Sequence, residues 1–79
     1  MSVEQQFAAL FEKNFQLDPG DFTEKLVPED VMLWDSLGHM NMVGAVEETF
    51  GLEFEVDEIT EMTSAGKILE MIRAKSAAD

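Results

Sequence analysis

Apolar side chains recur at intervals of three and four in three separated stretches of this 79-residue chain, and that period commits each stretch to a helix with one buried side. Val3, Phe7, Leu10, Phe11 and Phe15 make the first stripe; Met42, Val43, Val46 and Phe50 make the second; Ala65, Ile68, Leu69 and Ile72 make the last. Leu52-Glu53-Phe54-Glu55-Val56 alternates like a strand, but it is short and has no partner strand, so an extended linker is expected there. Asp57 to Met62 predicts one or two helical turns, with Ile59 and Met62 as apolar contacts. The fold class is therefore all-α: a single domain over residues 1–79, built as a bundle of three principal helices plus one short helix.

Local chemistry marks the ends of these elements. Ser2-Val3-Glu4-Gln5 fits a capping box at the first helix, and Leu17-Asp18-Pro19-Gly20-Asp21 is expected to stop it, because proline cannot continue the hydrogen-bond ladder. A long connection follows to about Trp34, with Phe22, Leu26, Val27, Val31, Met32 and Leu33 available to pin it on the core. The second helix is expected from about Ser36, capped by Asp35-Ser36, to Phe50, ending at Gly51. Thr63 or Ser64 can cap the last helix, whose tail from Ala74 to Asp79 is expected to fray.

Size and charge remove many functions. A domain of 79 residues buries only about 60% of the surface its unfolded chain exposes and has no room for a large catalytic cleft. The net charge of -12 argues against nucleic acid or an anionic membrane surface and for basic proteins as partners. No lysine or arginine lies between Leu26 and Gly66, a span that holds ten acidic residues including Glu29, Asp30, Asp35, Glu47 and Glu48. With no cysteine and the single histidine His39, thiol chemistry and His/Cys metal sites are excluded, and no acidic segment matches a calcium loop. Ser36, Asp35 and His39 have the residue types of a catalytic triad, yet within one helical turn they cannot form the relay. His39 is expected to pack between helices. The N-terminus lacks signal-peptide features and no apolar run reaches transmembrane length, so a cytoplasmic protein without membrane insertion is expected; a monomer is expected as well.

The run Trp34-Asp35-Ser36-Leu37-Gly38-His39-Met40 puts one serine where an acidic loop becomes a helix. A helix start gathers unpaired N–H groups and the positive end of the macrodipole, so a phosphate ester on the Ser36 oxygen would sit in a favourable field. The alternative is a serine that only caps. The second helix carries, beside its core stripe, a neighbouring face of Leu37, Met40, Asn41, Gly44, Glu47 and Glu48 that mixes apolar and acidic groups. That face is either a docking surface or, at Leu37 and Met40, the seat of the long loop.

Asp35-Ser36-Leu37, followed by Val43-Gly44-Ala45-Val46-Glu47-Glu48-Thr49-Phe50-Gly51, resembles the modification site and second helix of the acyl carrier proteins. The resemblance covers nearly the whole chain. It implies that Ser36 receives 4′-phosphopantetheine from coenzyme A through a phosphopantetheinyl transferase, and that the arm's thiol carries acyl groups as thioesters. It also implies a tethering role, not an enzyme. Asp35 would help the transferase engage the site, and Leu37, Met40, Glu47 and Glu48 would dock on basic patches of acyl-activating, acyltransferase or synthase enzymes. Met40, Val43, Ile59 and Met62 would shelter the acyl chain. Carriers of primary fatty acid synthesis usually have an acid after Asp-Ser-Leu and a glutamate three residues on, where this chain has Gly38 and Asn41. It is more similar there to discrete carriers of polyketide, mixed peptide or specialised lipid pathways. Two other functions fit the same residues: an aminoacyl or peptidyl carrier, and an unmodified acidic interaction module. Gly38 and Gly44 each cost a helix about 1 kcal/mol relative to alanine, and close approach of a partner is one reason to keep them.

Overall fold

A computed structural model describes residues 2–77, and among these the chain is all-helical, without strands. Helix α1 spans Val3–Phe15, α2 Ser36–Phe50, α3 Val56–Thr60 and α4 Ala65–Ala77, with a single 3₁₀ turn at Pro28–Asp30 inside the long connection. The expected bundle of three long helices and one short one is the observed architecture. α1 packs against both α2 and α4. Phe7, Phe11, Phe15, Met42, Val43, Val46, Ala65, Ile68, Leu69 and Ile72 fill the buried core, so the three stripes face one another.

The capping box at α1 is complete: Ser2 Oγ accepts the Gln5 N–H at 3.1 Å and Gln5 Oε1 accepts the Ser2 N–H at 3.1 Å. The helix stops earlier than the Pro19-Gly20 signal suggests. Gln16 turns left-handed (φ 57°) and the Leu17 N–H returns to the Glu12 carbonyl at 2.8 Å, closing the helix three residues before the proline. α3 begins at Val56, one residue inside the expected linker. α4 continues through Ala77 instead of fraying from Ala74; Ala78 and Asp79 lie outside the described residues.

The reason for the longer α4 is Lys75. Its ammonium pairs with Glu58 Oε1 at 3.1 Å and sits 5.4 Å from the centre of the Phe54 ring, so the last turn is tied to α3 and to the linker before it. Glu58 Oε1 also accepts the Glu55 N–H at 2.8 Å, capping α3. That backbone hydrogen bond, with Lys75 beside it, holds the Glu58 carboxyl below the ordinary glutamate value.

The long connection is fastened at several points. Glu12 Oε2 accepts the Gly20 and Phe22 N–H groups at 2.9 and 3.0 Å, and the Phe22 ring meets Phe7 and Phe11 edge-on. Further along, the carbonyls of Leu26 and Glu24 accept the Ala65 and Gly66 N–H groups, each at 2.9 Å. The connection therefore satisfies orphan donors at the start of α4, where Ser64 Oγ takes the Lys67 N–H. Val31 and Trp34 are buried as anchors, but Met32 and Leu33 are not: Met32 is 94% exposed and Leu33 40%. The expectation that both pin the connection is corrected. The two stand at the corner of a turn closed by Trp34 N–H to Val31 C=O at 3.0 Å, which carries them outward.

Candidate functional site

Ser36 is the first residue of α2, and Asp35 alone is its cap. Asp35 Oδ1 accepts the Gly38 N–H at 2.8 Å, while the first intrahelical bond runs from His39 N–H to Asp35 C=O at 2.8 Å. The sequence left the capping role shared between Asp35 and Ser36; the structure assigns it to the aspartate. The Ser36 side chain is exposed. Within α2 the Ser36 and Leu37 N–H groups precede the hydrogen-bond ladder, so an anion on the Ser36 oxygen would meet orphan donors and the positive end of a 15-residue helix.

Three clamps hold this helix start in place. Trp34 is buried, packs against Phe15 with ring centroids 5.6 Å apart, and lies edge to edge and nearly coplanar with the His39 ring, at an interplanar angle of 9°. The Trp34 indole N–H donates to His39 Nδ1 at 2.8 Å, and His39 Nε2 lies 3.1 Å from the Ile59 carbonyl oxygen. Indole is only a donor and a carbonyl only an acceptor, so His39 must be neutral with its proton on Nε2. The histidine thus packs between helices as expected, and it also bridges the loop, α2 and α3. The third clamp is Gly38, whose carbonyl accepts from Asn14 Nδ2 at 3.3 Å and where a Cβ would collide with the Leu33 carbonyl oxygen.

On α2 the two faces separate. Met42, Val43 and Val46 are buried, whereas Leu37 is 71% exposed and Met40 52%, so neither lies under the long loop. Asn41, Gly44 and Glu48 are exposed on the same outer side. Glu47 is half-buried, and its Oε2 accepts the Phe54 N–H at 2.9 Å; this carboxylate organises the linker after α2 as well as bordering the outer face. Gly44 has nothing within 4 Å of where a Cβ would stand, in contrast to Gly38.

The four residues expected to shelter an acyl chain are divided. Val43 and Met62 are buried in the core, Ile59 is half-buried with its carbonyl on His39, and Met40 belongs to the outer face. Beside Ser36 the surface has an open cleft of about 280 Å³ lined by Pro28, Trp34, Asp35, Ser36 and His39. A smaller hollow of about 200 Å³, bordered by Asn14, Leu33, Leu37, Gly38 and Asn41, lies on the α1 side. Met32 and Leu33 are not among the site residues expected from the sequence. A turn whose corner residues are large and apolar, flanked by acids, was the available signal.

No protein-family model matches the chain, and no curated protein matches it. Among solved structures it is similar to the solution NMR structure of a holo acyl carrier protein from Geobacter metallireducens, with a TM-score of 0.87 and 24% identity over 99% of this chain and 90% of that one. The chain has the acyl carrier protein fold.

Proposed function

We propose that this chain, having that fold, works as a discrete acyl carrier protein, with 4′-phosphopantetheine attached at Ser36 by a phosphopantetheinyl transferase. The observation that carries the reading is the division of labour at the start of α2: Asp35 takes the cap, leaving the exposed Ser36 hydroxyl beside orphan N–H groups. When attached, the arm supplies a terminal thiol that holds acyl groups as thioesters. The chain's own residues anchor and orient it. Trp34, His39 and the Leu33–Gly38 contact fix the direction in which α2 presents Ser36. Leu37, Met40 and Glu48, with the outer edge of Glu47, form the face offered to basic patches of acyl-activating, acyltransferase or synthase enzymes. Val43, Ile59 and Met62 border the α2–α3 seam into which a short acyl chain would have to work by displacing α3.

The paucity of acids on the first turns of α2, with Gly38 and Asn41 in place of carboxylates, favours a polyketide, mixed peptide or specialised lipid pathway over primary fatty acid synthesis. Among the described residues no helix is long and apolar enough to cross a membrane, in keeping with a carrier that works in the cytoplasm. Intact mass after co-expression with a broad-specificity transferase tests the reading. The expected result is one phosphopantetheine increment on the parent chain and none on Ser36→Ala, which stays folded because the cap is on Asp35. An unmodified parent chain would leave the acidic interaction module as the function. Loading of the modified chain by acyl-activating against amino-acid-activating enzymes then separates acyl from aminoacyl cargo.

A further inference from the structure

Met32 and Leu33 occupy the corner of a four-residue turn whose two ends, Val31 and Trp34, are 3% and 4% exposed, while Met32 itself is 94% exposed. Turn corners ordinarily hold glycine, proline, asparagine or aspartate, and a large apolar side chain held in water there contributes nothing to folding. The turn is not loose. Trp34 N–H closes it on the Val31 carbonyl, the 3₁₀ turn Pro28–Asp30 leads into it, and the Leu33 carbonyl is pressed so close to α2 that only glycine fits at position 38. Glycine at the start of α2 therefore preserves the position of this apolar corner, three and four residues before Ser36.

The surroundings specify what could cover it. Glu29, Asp30 and Asp35 are exposed on either side, and no lysine or arginine occurs from Leu26 to Gly66 to offset them. A complementary surface is an apolar recess rimmed by arginine or lysine. The enzyme that must come nearest is the one that joins the 4′-phosphopantetheinyl phosphorus of coenzyme A to the Ser36 oxygen as the pyrophosphate bond breaks and adenosine 3′,5′-bisphosphate leaves.

We propose that the Met32–Leu33 turn is a docking element for the phosphopantetheinyl transferase, Met32 inserting into an apolar recess with a basic rim and extending the contact beyond α2 onto the connection that precedes it. This rests on the carrier reading above. Because the turn is already closed by its own hydrogen bond and pressed on α2 in the free protein, little ordering is needed on association. The turn then acts on binding more than on the chemical step.

The test uses the full chain, a purified broad-specificity transferase and coenzyme A, with steady-state kinetics on the parent, Met32→Ser, Met32→Ser with Leu33→Ser, and Met32→Leu. Met32→Ser is expected to raise KM on the order of tenfold with kcat nearly unchanged, as loss of one buried apolar side chain from an interface requires. The double variant is expected to rise further, and Met32→Leu to stay near the parent. Helical circular dichroism and urea midpoints of the variants should match the parent, since the removed side chains are outside the core. An unchanged KM in the two serine variants, with the parent modified normally, overturns the docking role alone. A parent chain that accepts no phosphopantetheine overturns the carrier reading and this proposal together.

Discussion

Gly38 and Gly44 lie on one helix and carry the same intrinsic cost, about 1 kcal/mol each relative to alanine, but their surroundings differ completely. At Gly38 a methyl group would strike the Leu33 carbonyl and crowd Phe15 Cε1 at 3.2 Å; at Gly44 it would meet nothing. Gly44→Ala is therefore expected to stabilise the protein by up to ~1 kcal/mol, whereas Gly38→Ala should destabilise it by about 1–3 kcal/mol despite the better propensity, because backbone has to move. Urea denaturation of the two variants checks the opposite signs, and equal shifts would mean that the Leu33 turn is not pressed on α2. Glycine at 38 thus has an intramolecular reason, and partner approach remains an explanation only at Gly44. Glu47 and Glu48 divide in the same way: identical side chains at neighbouring positions, one accepting the Phe54 N–H and one free at the surface. Sequence spacing put both on the docking face, and it held no sign of the linker amide that turns back to Glu47.

α3 is only five residues long, too short to be stable by its own hydrogen bonds, so its place depends on what grips it. One grip is His39 on the Ile59 carbonyl; the other is Lys75 on Glu58. His39→Phe keeps the ring but removes both hydrogen bonds, leaving the buried Trp34 N–H unpaired at a cost of about 1–3 kcal/mol. Amide hydrogen exchange should then accelerate selectively in 56–62, and protection there equal to the parent would show that His39 does not hold α3. Glu58 adds a pH dependence of defined sign. Its carboxyl is held below the ordinary value of 4.5 by the Glu55 amide and then by Lys75, so the contact is fully present above that value and is lost as pH falls through the lower folded-state value. The α3 resonances are expected to shift in that acidic window in the parent and at a higher pH in Lys75→Met, still below the ordinary glutamate value because the Glu55 amide, the larger cause, remains. The short helix was legible from Ile59 and Met62, but neither of its grips was, because each pairs residues far apart in sequence.

The molecule as a whole carries an excess of twelve negative charges, against which its two ion pairs among the described residues, Arg73–Glu4 and Lys75–Glu58, are solvent-screened surface contacts that contribute little. Self-repulsion outweighs them. Raising monovalent salt from about 0.01 M, where charges interact over about 30 Å, to about 0.15 M, where the range is about 8 Å, should therefore raise Tm. A flat or falling Tm across that series would mean the acids are already compensated within the fold. The three long helices, the capping box at Ser2 and the buried stripes were determined by the sequence itself, because a period of 3.6 and a cap are properties of neighbours along the chain; which of Asp35 and Ser36 takes the second cap was not. Only the tertiary structure decided that α4 persists through Lys75, that the carbonyls of Glu24 and Leu26 cap its start, that Met32 and Leu33 face water between two buried anchors, and that His39 ties Trp34 to Ile59. Each of those depends on which backbone groups and rings meet across the fold, and no local pattern records such meetings.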